Sequence, residues 1–274
     1  MATETMAPVA SGKPRSVQPP SFKRARRLVQ RNMLVYKHTW MVIFSGFFEP
    51  IFYLFGIGLG IGRIVGKVDF GGLNIAYAAF IAPGMLASSC LNGAITDGFF
   101  NPFFKLHYQK TYEGILATPM NVSDVAVGEM MWALIRGSIY AAVFLLVMLA
   151  MGLVLSPLAV LALPAAILTA AAFSSAGIML MTIVKRIEDF DKVMNLIVLP
   201  MFLFSGTFFP LSVYPPPLRI VVMLTPLYNA AHLLRSLTTG IAGWGTLVNV
   251  FYLAAMLAIT ITIAMKRMQR ILIQ

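Results

Sequence analysis

Few residues in this chain could do chemistry, and they are thinly spread. Glu188, Asp189 and Asp191 form one acidic cluster. A membrane prenyltransferase would use such a cluster to hold magnesium and a diphosphate, but it needs two of them face to face, and the sequence offers one. His38, His107 and His232 share no metal-ligand spacing. The single cysteine, Cys90, lies in an apolar run, where a thiol acts as a small hydrophobe, and one cysteine allows no intrachain disulfide. No Gly-x-x-x-x-Gly-Lys-Ser/Thr phosphate loop occurs, so ATP cannot be bound in that manner. These absences point to a chain with no catalytic residues, no metal and no cofactor of its own. Four ionisable residues are functional candidates because they fall in or beside apolar stretches. Glu49, followed by Pro50, suits a proton relay or a structural bond to a neighbouring helix or to an arginine. Asp97 should be a snorkelling group near the inner end of its span. Glu129 and Arg136, seven apart on one helical face, should pair and orient the third span.

The elements that position them follow from composition. The chain has 274 residues, 59% hydrophobic and 11% charged, against about 25% charged in soluble domains; its mean hydropathy is +0.82. This is an all-α integral membrane protein. Stretches of about 20 apolar residues mark spans, and six are expected: 40–61, 75–99, 131–155, 158–184, 194–211 and 247–265. Pro164 and Pro200 should kink their helices. Residues 1–20 read as a disordered tail without the apolar core of a cleavable signal. Residues 21–38 read as a basic amphipathic helix at the membrane interface, with Phe22, Ala25, Val29, Met33 and Tyr36 on its apolar stripe. Residues 39–274 form the transmembrane domain.

Lys and Arg number 21 against 10 Asp and Glu. The excess sits in loops flanking the spans, which reads as topology rather than nucleic-acid binding. With the N-terminus inside, only Arg63, Lys67, Arg219 and Arg235 fall outside. Both termini should therefore be cytoplasmic, in a multi-pass protein of the plasma (bacterial inner) membrane.

Two places break the regular pattern. After the fifth span, Ser205-Gly206-Thr207-Phe208-Phe209-Pro210 interrupts an apolar helix. The apolar stretches 218–224 and 227–237 beyond it are too short to cross again, and read as short re-entrant outer helices. Freed backbone groups in hydrocarbon must be satisfied by protein or a wet cavity, so a broken helix points to a transport pathway. In the loop before the third span, Tyr112, Ile115 and Leu116 make a small apolar helix stopped by Thr118-Pro119. It either fits a partner's groove or packs on the protein's own membrane face; the residues alone favour neither.

A resemblance favours the first. Glu113-Gly114-Ile115-Leu116-Ala117-Thr118-Pro119-Met120 resembles the segment linking spans two and three in type-2 ATP-binding-cassette (ABC) export permeases. Residues 203–211, with Pro226-Leu227-Tyr228 and Leu234-Arg235-Ser236-Leu237, are similar to that family's fifth-span region. Phe48 to Gly60 resembles the nodulation lipo-oligosaccharide exporter branch.

The resemblance implies a six-span permease that pairs with a second copy. It implies two cytoplasmic ABC ATPase subunits, which carry the ATP and magnesium, and an amphiphilic cargo such as a lipid-linked oligosaccharide, glycolipid or hydrophobic drug. Tyr112, Glu113, Gly114, Ile115, Leu116, Thr118 and Pro119 become the ATPase-coupling helix. Met85, Asn92, Phe202, Phe204, Ser205 and Phe209 become pathway residues, with Gly206 and Pro210 shaping the gate. Gly84, Ala87 and Ser88 would let helices approach closely. The alternative is a gradient-driven carrier, which would show paired mid-membrane acids and inverted repeats; the sequence shows neither.

Overall fold

The computed structural model describes residues 21–37 and 51–273; Glu49 and the first half of the first expected span lie outside them. Helix α1 is Phe22–Lys37. Helix α2, Ile51–Val65, holds a π-helical stretch at Leu54–Ile61. Two strands follow, β1 (Lys67–Phe70) and β2 (Leu73–Ala76), paired antiparallel with Lys67 opposite Ala76. Helix α3 runs Tyr77–His107, with a π turn at Thr96–Phe100. Helix α4 is Thr111–Leu116, α5 Val122–Ala150 and α6 Pro157–Met181. Helix α7 covers residues 187–203, with a π turn at Met194–Val198. Helices α8 (Pro216–Leu224), α9 (Pro226–Thr239) and α10 (Trp244–Ile273) complete the chain.

Among the described residues, α3, α5, α6 and α10 are long and apolar enough to cross a membrane. The pair α8 and α9 would make a fifth span if counted as one, but it bends by 85°. A bend of that size makes the pair either a broken span or a re-entrant turn rather than one straight crossing. The expected fifth span stops at Leu203, followed by an irregular segment.

The hairpin corrects the all-helical expectation. Gly71 and Gly72 both have positive φ, 59° and 85°, as a tight two-residue hairpin turn requires. It takes residues 75 and 76 from the expected second span. That span instead continues at its other end to His107, and α5 starts nine residues before the expected position 131. The Asp124 carboxylate reaches back to accept from the Asn121 N–H at 3.0 Å, a capping-box bond that starts the helix early. Pro164 falls near the start of the α-helical part of α6, whereas Pro83, passed over in the sequence, sits inside α3.

Helix α3 is the central post, buried along nearly all its apolar length and packed on α5, α6 and α9. Small residues set these contacts. A Cβ on Gly98 would lie 2.5 Å from the Ser174 carbonyl oxygen of α6, and one on Gly137 of α5 would lie 2.7 Å from Ala170 Cβ. Close approach of this kind replaces the hydrophobic drive that helices lack in lipid.

Gly98→Ala should therefore lower stability by about 1–3 kcal/mol, the range for overpacking, because the obstacle is backbone. Gly114→Ala in α4, where a Cβ meets nothing within 4 Å, should be neutral or stabilising by up to about 1 kcal/mol. Thermal unfolding of the two purified variants against wild type checks both.

Candidate functional site

The break after α7 is built so that its freed carbonyls find donors. The Ser205 hydroxyl donates to the Phe202 carbonyl at 3.0 Å and shares a 2.7 Å bond with the Thr207 hydroxyl. Arg235 of α9, 3% exposed, donates from Nη2 to the carbonyls of Gly206 (3.0 Å) and Thr207 (3.4 Å). Its Nε donates to the Phe80 carbonyl of α3 at 2.8 Å, in the turn that Pro83 loosens by removing a donor. Tyr77 donates from its hydroxyl to the Phe208 carbonyl at 3.2 Å. The guanidinium also lies 3.9 Å from the Phe80 ring centroid, a cation–π contact that favours its charge in a buried place. Gly206 adopts φ +67°, and a Cβ there would press on the Tyr228 ring at 3.3 Å. Thr207 packs so closely on Gly84 that a Cβ would sit 2.7 Å from its methyl.

The bend between α8 and α9 is served in the same way. Asn229 donates to the carbonyls of Met223 and Thr225, each at 2.9 Å. Tyr252 donates to Leu224 at 2.7 Å.

At the opposite end of α3, carboxylates join three helices. Asp124 of α5 accepts from Arg24 Nε (2.5 Å) and the Ser21 N–H (2.7 Å), fastening α1. Glu129 accepts from Lys105 Nζ at 2.8 and 2.9 Å and from Asn32 of α1 at 3.3 Å. Between them Gly128 lets α1 approach: a Cβ there would meet Leu28 at 2.7 Å. Tyr112 of α4 is buried in this cluster with Leu28, Phe103 and Val125. Burial, and then the nearby Glu129 carboxylate, hold its phenol well above the ordinary tyrosine range, so it stays neutral. Phe99 stacks on Phe103 and Phe190 at 5.5 and 4.4 Å, linking the π turn of α3 to α7.

Two sequence expectations need correction here. Glu129 and Arg136 do not pair. Glu129 is taken by Lys105, and Arg136 donates to Asp97 at 2.5 Å and to the Tyr140 hydroxyl at 2.6 Å. Asp97 is no snorkelling end group: it is 1% exposed, because α3 continues past it as a π turn and places it against α5. Asn101 also donates to it at 2.8 Å.

The other candidates separate by burial. Met85, Ser205 and Gly206 are buried, Phe202 and Pro210 half-buried, and Asn92, Phe204 and Phe209 exposed. In α4 and just after it, Tyr112 faces inward and Ile115 and Leu116 are half-buried, while Glu113, Gly114, Thr118 and Pro119 are exposed. The segment thus packs on its own protein with one face and presents a second.

The sequence matches a known family over most of its length. Residues 24–239 match the family described as ABC-2 type transporter. The chain belongs to the ABC-2 type transporter family. It is similar to Nodulation protein J of Rhizobium leguminosarum bv. viciae, with 30% identity over 212 residues, 77% of this chain and 80% of that one. Nodulation protein J of Sinorhizobium fredii is 30% identical over 81% of this chain and 83% of its own length. That of Rhizobium meliloti is 29% identical over 77% and 79%. As an ABC-2 membrane permease, the chain is a multi-pass transporter component.

The charge distribution alone puts Arg235 with the residues outside the membrane, and gives Asn32 and Lys105 no part in a site. An arginine inside an apolar stretch was the signal for the first. Nothing local marks the other two.

Arg235→Lys should fail to replace arginine, since one ammonium cannot reach three carbonyls as a planar fork does. Arg235→Met should cost at least about 3 kcal/mol, three buried carbonyls each losing a donor at about 1–3. Arg136→Gln should destabilise strongly by leaving Asp97 uncompensated, and adding Asp97→Asn should restore part of the loss. Unfolding midpoints in detergent, compared across the set, check these outcomes.

Proposed function

We propose that this chain is the membrane permease of an ABC exporter that moves an amphiphile out of the cytoplasm or inner leaflet. The cargo class is a lipid-linked oligosaccharide, a glycolipid or a hydrophobic drug. In this reading the chain crosses the inner membrane six times with both termini cytoplasmic. It pairs with a second copy and is driven by two separate cytoplasmic ATPase subunits that hold ATP and magnesium. Likeness to the nodulation J proteins over most of both chains supports the branch.

One observation carries the reading: a single continuous helix, α3, joins the two unusual places. Its first turns hold the broken segment through Phe80 and Gly84. Its last turns carry Phe103, which packs with Tyr112 of α4. The exposed face of Glu113, Gly114, Thr118 and Pro119 is where the ATPase would press. Displacement there passes through Tyr112, Phe103 and the Lys105–Glu129 pair into α3, and along it to Phe202, Phe204 and Phe209. Asn92 and Met85 lie on the same helix. Among the described residues, Lys105 pairs with Glu129 and Arg136 with Asp97, which suits an apolar route better than a path for small ions.

Leu116→Asp should leave expression intact, while nucleotide hydrolysis by the co-purified ATPase no longer responds to cargo. Unchanged transport would remove the coupling role. Transport by the purified permease in liposomes without any nucleotide-hydrolysing subunit would favour a gradient-driven carrier instead. With Cys90 replaced, an Arg219→Cys thiol should react with a membrane-impermeant reagent added outside; labelling only from inside would reverse the topology.

A further inference from the structure

A groove of about 540 Å³ opens on the side of the bundle between α6, α9 and α10. Its walls include Leu161 and Leu168 of α6, Leu233 and Leu237 of α9, and Leu247 and Val250 of α10. The one polar side chain in the lining, Thr246, is already committed. Its hydroxyl accepts from the Gly243 N–H at 3.2 Å and donates to Ser236 Oγ at 3.1 Å. A sugar, peptide or headgroup would enter with its polar atoms unmatched, at a cost of several kcal/mol. Hydrocarbon enters at no such cost.

The groove is also continuous with the outer apolar surface. Leu161 and Leu247 line it and are at the same time half exposed, and Val160 and Phe251 beside them are strongly exposed. In a membrane permease such surface faces acyl chains. Trp244, 80% exposed and one turn before Leu247, is the residue type that settles at headgroup level. From Trp244 to Val250 the wall extends about 10 Å at 1.5 Å per residue.

We propose that this groove is a seat for the acyl chains of one membrane phospholipid, its headgroup at the level of Trp244. The seat has a structural use. Leu233 and Leu237 flank Arg235 on α9, so chains packed against them press α9 toward α3, where Arg235 holds the broken segment. A ligand bound only by the folded form stabilises it by mass action.

The full-length protein, purified in mild detergent, tests this by native mass spectrometry. Wild type should retain about one phospholipid per chain through washing. A double variant Ala165→Leu and Gly243→Leu should retain several-fold less, since a Cβ at Gly243 meets nothing within 4 Å and the added side chains fill the void. Phe251→Leu, outside the lining, should retain as wild type does. Stripped wild type should melt several degrees lower and recover on adding dioleoyl phosphatidylcholine, while the filled variant should melt alike with and without it. Should the double variant not fold, Leu161→Asn, which sets an amide on the wall, must lower retention on its own. Retention unaffected by these changes overturns the proposal. A retained mass seen only when an amphiphilic cargo is supplied would overturn it in favour of a cargo site, and a shift of the filled variant from dimer to monomer in favour of a subunit contact.

Discussion

One guanidinium organises the least regular part of this protein. Breaking a helix inside a membrane frees carbonyls that lipid cannot satisfy. Here a single buried side chain gathers the carbonyls of Gly206 and Thr207 from the broken segment and that of Phe80 from the central helix. The price of a desolvated charge is offset by three carbonyl dipoles and the face of Phe80. Much else follows from that clasp. Gly84 is needed so that the loop can come within reach, Gly206 so that it can turn, and the bend before α9 so that Arg235 is delivered at the right depth.

The other end of α3 is organised by carboxylates rather than a cation. Asp124 and Glu129, five residues apart on α5, each draw in a different neighbour, the first the start of α1 and the second Lys105 of α3. Gly128 lies between them and removes the steric barrier to α1. The result is a packed junction in which Tyr112 is buried in one cluster with residues of three helices. The short apolar segment is thus anchored to its own protein through Tyr112 while Glu113, Gly114, Thr118 and Pro119 stay exposed.

Much of the fold was legible because the bilayer restricts the choices. The apolar lengths located α3, α5, α6 and α10, and the shortness of the stretches 218–224 and 227–237 marked the bent pair. The ends of these helices were harder. Whether α5 begins at 122 or 131 depends on a capping carboxylate that also pairs with an arginine a hundred residues away, and periodicity does not register such partners. Seven-residue spacing put Glu129 and Arg136 on one face, but it said nothing of Lys105 and Asp97, which compete for them across helices. The hairpin at Gly71-Gly72 was hidden by its setting: four-residue strands carry little alternation, and the neighbouring apolar runs dominated the reading. The broken segment was recognisable from Gly206 and Pro210, whereas the residue that holds it lay 29 positions beyond Gly206.

The length of α3 has a consequence of its own. Thirty-one residues at 1.5 Å each reach about 46 Å, well beyond a hydrocarbon layer of roughly 30 Å. Part of the surplus is covered by protein, since Phe99 and Phe103 are buried, while Phe104 beside them is exposed. Where protein covers its side chains, the membrane boundary can shift along this post at little cost. Bilayers of different thickness would meet the same ruler, and the spacing between its two worked ends would stay constant in all of them.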